Sequence, residues 1–193
     1  MRKFFNAQAE KWDNIAFHDP FKLDVIIENV NIKPGHTVLD VGSGTGILLE
    51  RILQNTGSKG QVIAMDISEN MLYISRKKHS SSGISYVQGM AEHMALADES
   101  CHRVICYSVF PHFKEPAHTL AEIKRILYPR GILVIAHSQG RDKINDIHKK
   151  IDGPVNTDYL PDGQEMCSLL EKEHFVVKNI IDNNEIYCYV AVK

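Results

Sequence analysis

The chain has 193 residues, a formal net charge of −2, 44% hydrophobic residues and 24% charged residues. These values predict one domain with a substantial buried core, and they exclude a strongly basic surface for nucleic acid and an apolar stretch of the ~18 residues that a membrane span needs. The sequence opens on no signal-peptide pattern and its cysteines form no CxxC pair, so a cytoplasmic protein with free thiols is expected.

Two helices are predicted ahead of the first strand. Phe5, Ala9 and Trp12 recur at helical spacing and form one apolar stripe. The Asp-Pro pair at 19–20 is typical of a helix N-cap and first turn, and apolar residues follow it at helical spacing. Because a minimal sheet domain offers no partner for the stripe, we expect residues 1–31 to form a helical lid over the ligand cleft.

Strands and helices alternate through the rest of the chain. The predicted order is strand 38–41, helix 45–54, strand 61–66, a helix from Ser68 to a Ser-Gly break at 80–83, strands 84–87 and 104–107, a helix from Glu115, strand 131–136, helix 164–173, and strands 175–181 and 185–192. This alternation predicts an α/β fold, a parallel sheet with helices on both faces. Residues 139–163 exceed a minimal loop and are predicted to be a substrate-side insertion containing a short helix.

The segment VLDVGSGTG at 38–46 places an acidic residue just ahead of a glycine turn. An apolar run ending in GxGxG predicts a buried strand that turns into a helix, with glycines that let a ligand approach the backbone. Dinucleotide-binding enzymes place a pyrophosphate at such a turn, and the carboxylate of Asp40 would repel it. The carboxylate would attract a cation instead, which favours S-adenosylmethionine (SAM) over NAD. In addition, Ile47 stands where the GxGxxG pattern has its last glycine.

A second acidic residue supports this interpretation. Asp66 ends the run QVIAMD about 20 residues beyond the glycine turn, the spacing at which an acidic side chain receives ribose hydroxyls in nucleotide-binding folds. The segments QGMAEHMAL, DESCHRVICYSVFPHF and EIKRILYPRGILVIAHS follow in turn. Over residues 36–138 this series resembles the motifs of the class I SAM-dependent methyltransferases, in particular the type 11 family that includes the ubiquinone and menaquinone methyltransferases.

The resemblance implies a fold, an activity and a set of cofactor contacts. It implies a single SAM-binding methyltransferase domain over residues 1–193, with a Rossmann-like, seven-stranded, mostly parallel sheet and an antiparallel C-terminal strand. It also implies that Asp40 meets the ammonium group of SAM and that Asp66 meets the ribose. The cofactor-binding residues expected on this basis are Trp12, Asp40, Gly42, Ser43, Gly44, Asp66, Ile67, Met71, Met90, Ala91 and Tyr107.

One motif departs from the family pattern. Members of the family usually have Gly-Asp-Ala where this chain has Gly-Met-Ala, so Met90 cannot accept a hydrogen bond from the adenine amine, although it can pack on the purine. This departure, together with ten histidines, keeps open an alternative function: a catalytically inactive accessory or regulatory protein that binds SAM or a metal. A third alternative, an NAD oxidoreductase, is disfavoured by Asp40.

Two histidines are candidates for a general base on the acceptor side. His112 follows the fourth strand and His137 ends the fifth, and ligands bind at this edge of open α/β sheets. The sequence is equally consistent with a His112 that only caps its loop by hydrogen bonding. Without HxxxH or Cys/His ligand spacing no metal site is predicted. No Asn-Pro-Pro-Tyr follows the fourth strand, which disfavours methylation of adenine or amide nitrogens, so the expected partner is a small-molecule acceptor and not nucleic acid.

Overall fold

The computed structural model describes residues 1–79 and 83–193. Its N-terminal part contains α1 (Arg2–Gln8), a 3-10 turn (Ala9–Lys11), α2 (Trp12–Ile15) and α3 (Pro20–Val30). The side chain of Asp19 caps α3 by accepting a hydrogen bond from the backbone N–H of Phe21, at 2.9 Å. The Asp-Pro pair at 19–20 therefore starts α3, as the sequence predicts.

Within the described residues, seven strands form one sheet in the order β3-β2-β1-β4-β5-β7-β6. The strands are β1 (Thr37–Val41), β2 (Gln61–Asp66), β3 (Ile84–Gln88), β4 (Cys101–Tyr107), β5 (Leu127–His137), β6 (Val176–Asp182) and β7 (Tyr187–Val192). Strands β1 to β5 pair in parallel, whereas β7 runs antiparallel to both β5 and β6. The expected Rossmann-like sheet with an antiparallel C-terminal strand is confirmed.

Helices cover the sheet on both faces. They are α4 (Leu49–Thr56), α5 (Glu69–Lys78), α6 (Pro116–Ile126), α7 (Arg141–Lys150) and α8 (Gly163–Lys172), in addition to α3. Neighbouring residues of β1 belong to opposite cores: Val38 packs with the apolar residues of α3 and α4, and Leu39 packs with those of α6 and α8. Because β1 is buried on both faces, apolar residues stand next to one another at 38–39 and do not alternate with polar ones.

Two predicted starts differ from the structure by about four residues. Helix α4 begins at Leu49 and not near residue 45, because the turn continues through Gly46, whose φ of 90° is incompatible with a helix. Strand β5 begins at Leu127, ahead of the predicted start at 131, and an irregularity in its register with β4 accommodates the longer strand. The predicted Ser-Gly break falls largely on 80–82, which lie outside the described residues.

The segment 139–163 contains α7 followed by an irregular stretch up to the start of α8. It follows β5, at the edge of the sheet where parallel strands place their carboxyl ends. In the part of the chain that the structure describes, no helix has both the length and the apolar character required to cross a membrane.

Candidate functional site

A cleft opens where β1, β2 and β4 reach their carboxyl ends. The space within it, with open solvent at its mouth included, is about 1120 Å³. The glycine turn, the N-terminal helices and the loops after β2, β3 and β4 contribute its walls. Every residue predicted to bind the cofactor lines this cleft, and so does His112, whereas His137 does not.

The glycine turn leaves space for a ligand at Gly44. Gly42 has a φ of 68°, and a Cβ at this position would lie 2.3 Å from Cγ2 of Val109, so the turn packs tightly there. At Gly44 a Cβ would meet only Nε1 of Trp12, at 3.8 Å. Between the two glycines, the buried Oγ of Ser43 has no hydrogen-bond partner among the described residues. A buried hydroxyl needs a polar partner, and a ligand in the cleft can supply one.

Asp66 joins the end of β2 to the glycine turn. Its Oδ2 accepts a hydrogen bond from the N–H of Gly44 and its Oδ1 accepts one from the N–H of Ser68, both at 2.8 Å. Burial raises the pKa of Asp66, and the two N–H donors and the nearby His112 act in the opposite direction. A carboxylate offers about four lone-pair sites, so roughly two remain for hydroxyl groups of a ligand.

Asp40, near the end of β1, is the second carboxyl group of the cleft. Its side chain is 2% exposed, and burial, together with the charge of Asp66, raises its pKa to about 8. In the protein without ligand the carboxyl group therefore holds its proton at neutral pH. A cation that enters the cleft favours the ionised form, so its binding is coupled to release of that proton.

The N-terminal segment forms an aromatic wall of the cleft. The rings of Phe5 and Trp12 both line it and meet edge to face, with centroids 5.7 Å apart. Asp13 fixes α2 to the glycine turn, because its Oδ1 accepts from Oγ1 of Thr45 at 2.6 Å and its Oδ2 pairs with Nζ of Lys78 at 2.6 Å.

Polar contacts also hold α1 against α5. Arg2 pairs with Glu69 at 2.8 Å, and Oδ1 of Asn6 accepts a hydrogen bond from Oγ of Ser68 at 2.5 Å. Ala9, from the predicted apolar stripe, is buried. The N-terminal helices thus line the cleft, and no side chain of α1 belongs to the buried core of the sheet.

The expected adenine side of the cleft is apolar. Ile67 and Met71 line it from the loop after β2 and from α5, and Met71 is almost fully buried. Met90 and Ala91 line it from the loop after β3, and Met90 remains 47% exposed. An exposed thioether at this position can cover a flat heterocycle.

Tyr107 ends β4 inside a short chain of hydrogen bonds. Its hydroxyl lies 2.7 Å from Nδ1 of His18 and 2.7 Å from Oγ of Ser138. Burial lowers the pKa of His18 and raises the pKa of Tyr107, so both groups are neutral at pH 7. Tyr107 and His18 both line the cleft, and the chain connects them to the end of β5.

His112 lies in the short 3-10 turn after β4 and is paired with a carboxyl group. Its Nδ1 lies 2.7 Å from Oδ2 of Asp158, and both side chains are mostly buried. The ring of Phe5 packs edge-on against the imidazole at 5.3 Å, and the ring of His148 lies 5.1 Å away. Contacts on several sides therefore fix the imidazole of His112 at the cleft.

The structure separates His137 from the cleft, contrary to the role predicted for it. The side chain is 2% exposed, and neither ring nitrogen has a hydrogen-bond partner within residues 1–79 and 83–193. Burial, followed by the neighbouring His112 and His148, lowers its pKa to about 3. A buried imidazole that stays neutral and does not reach the cleft is poorly placed to accept a proton from an acceptor, so His112 is the remaining candidate.

Asp13 and Asp158 belong to the site without any signal in the sequence, and the same holds for the partners of Tyr107. Each contacts a residue far away in the chain, separated by 32 residues for Asp13 and Thr45 and by 46 for Asp158 and His112. Local patterns carry no signal for such contacts. Among the described residues, no group of three or more His, Cys, Asp or Glu side chains is arranged to hold a metal ion.

A family model described as "Methyltransferase domain" matches residues 39–135, which contain β2 to β4 and most of β1 and β5. The ubiquinone/menaquinone biosynthesis C-methyltransferase UbiE of Legionella pneumophila (strain Philadelphia 1) is 34% identical over 141 residues, which are 68% of this chain and 56% of that protein. The corresponding UbiE of Shewanella halifaxensis is 30% identical over 180 residues, which are 88% of this chain and 69% of that protein. The chain thus spans little more than half the length of the first of these relatives.

The fold has close counterparts among solved structures. A SAM-dependent methyltransferase from Aquifex aeolicus superposes with a TM-score of 0.78 at 22% sequence identity, and the match covers 97% of each chain. At this identity the likeness concerns the fold, which extends over the N-terminal helices and the C-terminal strands as well as the region that the family model matches.

Proposed function

We propose that this chain, which belongs to the type 11 family of class I SAM-dependent methyltransferases, transfers the methyl group of SAM to a small-molecule acceptor. The observation that carries the proposal is the pair of buried carboxyl groups, Asp40 and Asp66, beside an open glycine turn in one cleft. This arrangement suits a ligand that combines a cationic amine with ribose hydroxyls.

The residues of the cleft fit SAM, the cofactor of this family. Asp40 would face the ammonium group, and the unpartnered hydroxyl of Ser43 and the open space at Gly44 would receive the methionine part. Asp66 has about two acceptor sites left for the ribose hydroxyls after its backbone contacts. Met71 and Met90 would enclose the adenine by apolar contact, because the usual acidic acceptor is absent at position 90.

SAM supplies a reactive methyl group: the lone pair of the acceptor forms the new bond, and the carbon–sulfur bonding pair stays on sulfur as S-adenosylhomocysteine departs. The chain itself has to orient the acceptor, exclude water and hold a proton acceptor nearby. We assign orientation and exclusion of water to the aromatic wall of Phe5 and Trp12, and the proton acceptor to His112. Residues 1–31 would act as the lid and 139–163 as the wall on the acceptor side.

The lining of the cleft favours a compact, largely apolar acceptor with a few polar groups. Aromatic rings contributed by Phe5, Trp12 and Phe113 stand beside the polar groups of Tyr107 and His112. Flat rings stack well against such walls. The curated relatives are named for methylation in quinone biosynthesis, which places hydroquinones first among the acceptors to be tested.

The proposal is tested by binding and turnover together. Titration calorimetry with S-adenosylhomocysteine should give micromolar affinity, about −8 kcal/mol. Chromatography should then detect S-adenosylhomocysteine formed from SAM with hydroquinone, catechol or thiophenol as acceptor. Binding without turnover across a wide panel of acceptors would favour the inactive accessory function, and NADH binding in place of SAM binding would refute the proposal. An Asp24→Ala variant serves as the control, since this exposed carboxylate pairs with Arg51 on the surface.

A further inference from the structure

His112 is paired with Asp158, a residue of the segment 139–163. Nδ1 of His112 and Oδ2 of Asp158 lie 2.7 Å apart, and the exposed fractions of the two side chains are only 13% and 15%. Asp158 belongs to the irregular part of the segment 139–163, whereas His112 follows β4 and lines the cleft. The insertion therefore contributes a carboxyl group directly behind the candidate base.

The backbone around Asp158 is held in place by other side chains. Its carbonyl oxygen lies 3.0 Å from Nδ1 of His148, a buried residue of α7. Asn145, also on α7, accepts a hydrogen bond from the N–H of Leu160 at 2.6 Å and donates one to its carbonyl at 3.1 Å. These contacts at Asp158 and at Leu160 fix the path of the loop, so the carboxyl group does not depend on His112 alone for its position.

The hydrogen bond determines which nitrogen of His112 is free. An ionised carboxylate can only accept hydrogen bonds, so Nδ1 must carry a proton in this contact. When the imidazole is neutral, Nε2 then has the lone pair. The imidazole is also wedged between the rings of Phe5 and His148, which restricts its rotation. A ring that is held in one tautomer and one orientation is the arrangement that general base catalysis requires.

We propose that Asp158 is a positioning residue that keeps His112 in the Nδ1–H form, so that Nε2 accepts the proton of a hydroxyl group on the acceptor. This inference rests on the proposed function and names the acceptor class as a phenol or enol. The O–H bond breaks, its proton forms an N–H bond with the lone pair of Nε2, and the electron pair stays on the acceptor. The resulting imidazolium is paired with the carboxylate of Asp158. A thiolate or an amine would not need this base.

Other ionisable groups surround His112 and do not replace Asp158. Asp66 lies on the cofactor side, where two backbone N–H groups already bind its carboxyl group. His148 and His137 are buried neighbours, and His18 shares its Nδ1 hydrogen bond with Tyr107. Asp158 is the acidic side chain in direct contact with the ring of His112.

Nitrogen NMR of the imidazole tests the inference without turnover. In the wild-type protein with S-adenosylhomocysteine bound, the His112 signals should show a protonated Nδ1 and an unprotonated Nε2 at alkaline pH. In Asp158→Asn the amide can donate to Nδ1, so the proton should move to Nε2. Asp152→Asn, which changes an exposed acid in the same insertion, should leave the wild-type tautomer unchanged. A wild-type His112 with its proton on Nε2 would overturn the inference.

Turnover of hydroquinone or catechol provides the second measurement. Asp158→Asn and His112→Gln should each lower kcat by about 10²- to 10⁴-fold, with the affinity for S-adenosylhomocysteine nearly unchanged. The double variant should be no slower than the worse single variant, because the two residues act as a unit. Full kcat in Asp158→Asn would refute the positioning role. If the wild-type protein methylates no acceptor, the proposed function fails. The NMR measurement of the His112 tautomer then tests the effect of Asp158 on the imidazole by itself.

Discussion

Replacing Asp66 by alanine tests whether this carboxyl group binds the ribose of the cofactor. The carboxylate already accepts hydrogen bonds from the N–H groups of Gly44 and Ser68, and its free lone pairs are the ones available to the two ribose hydroxyls. One hydrogen bond to a charged group contributes about 1.5–3 kcal/mol when it replaces a water contact. Because the two hydroxyls share one carboxylate, their contributions are not additive, and we expect a total loss of roughly 2–3 kcal/mol. The affinity for S-adenosylhomocysteine should therefore fall roughly 30- to 150-fold.

The same substitution also disturbs the glycine turn, and the assay must separate the two effects. Titration calorimetry with the 2′,3′-dideoxy analogue of S-adenosylhomocysteine does so, because this ligand has no hydroxyl for Asp66 to bind. Wild type and Asp66→Ala should bind the analogue with similar affinity, so that the coupling between residue and hydroxyls accounts for the loss. If Asp66→Ala loses as much affinity for the analogue as for the natural ligand, the carboxyl group acts only through the turn and the ribose assignment is refuted.

Four further predictions concern the cleft and its rim. Burial raises the pKa of Asp40 to about 8, so S-adenosylhomocysteine binding at pH 7 should release about 0.9 proton, measurable by calorimetry in buffers of different ionisation enthalpy and absent in Asp40→Asn. The same raised pKa makes the wild-type free energy of unfolding fall as pH rises from about 4 to 8, and Asp40→Asn should lack this slope. Deleting residues 1–14 removes the aromatic wall and none of the core residues of the sheet. Urea unfolding should therefore stay cooperative, while the affinity for S-adenosylhomocysteine should drop at least about tenfold. An unchanged affinity would contradict the lid. Gly42→Ala should lower the free energy of unfolding by about 1–3 kcal/mol more than Gly57→Ala, since both have positive φ and only Gly42 meets Val109.

The parts of the site that the sequence predicts are those encoded within a few residues. Asp40 and Asp66 are recognisable because each lies at or next to the end of an apolar strand that leads into a turn, and parallel strands bring such ends to one edge of the sheet. The order of the motifs then supplies the fold, including the antiparallel β7. The sequence predicts too early a start for α4, because the helical spacing of apolar residues carries no information about the backbone angles of the preceding glycine.

The acceptor side is built from contacts that no local pattern encodes. His18 and Tyr107 are 89 residues apart, and His112 and Asp158 are 46 apart. In the sequence, His112 and His137 are equal candidates for the base because each lies at the carboxyl end of a predicted strand. Only the packing distinguishes them, because β5 and β7 bury the ring of His137 while the loop after β4 brings His112 to the cleft.

The electrostatics of the cleft refine the reason for preferring SAM to a dinucleotide. In the sequence, Asp40 stands as a negative charge that would repel a pyrophosphate, but its pKa is raised to about 8, so its carboxyl group carries little charge at neutral pH when no ligand is bound. The preference for SAM arises instead from how each ligand changes the ionisation of the Asp40 carboxyl group. A cation stabilises the ionised form and gains a charge-assisted hydrogen bond, whereas a pyrophosphate further disfavours ionisation and finds only a neutral acid. Burying their own negative charge is unfavourable, so the two neighbouring carboxyl groups favour a cationic ligand. The proton released on binding is the measurable consequence of this preference.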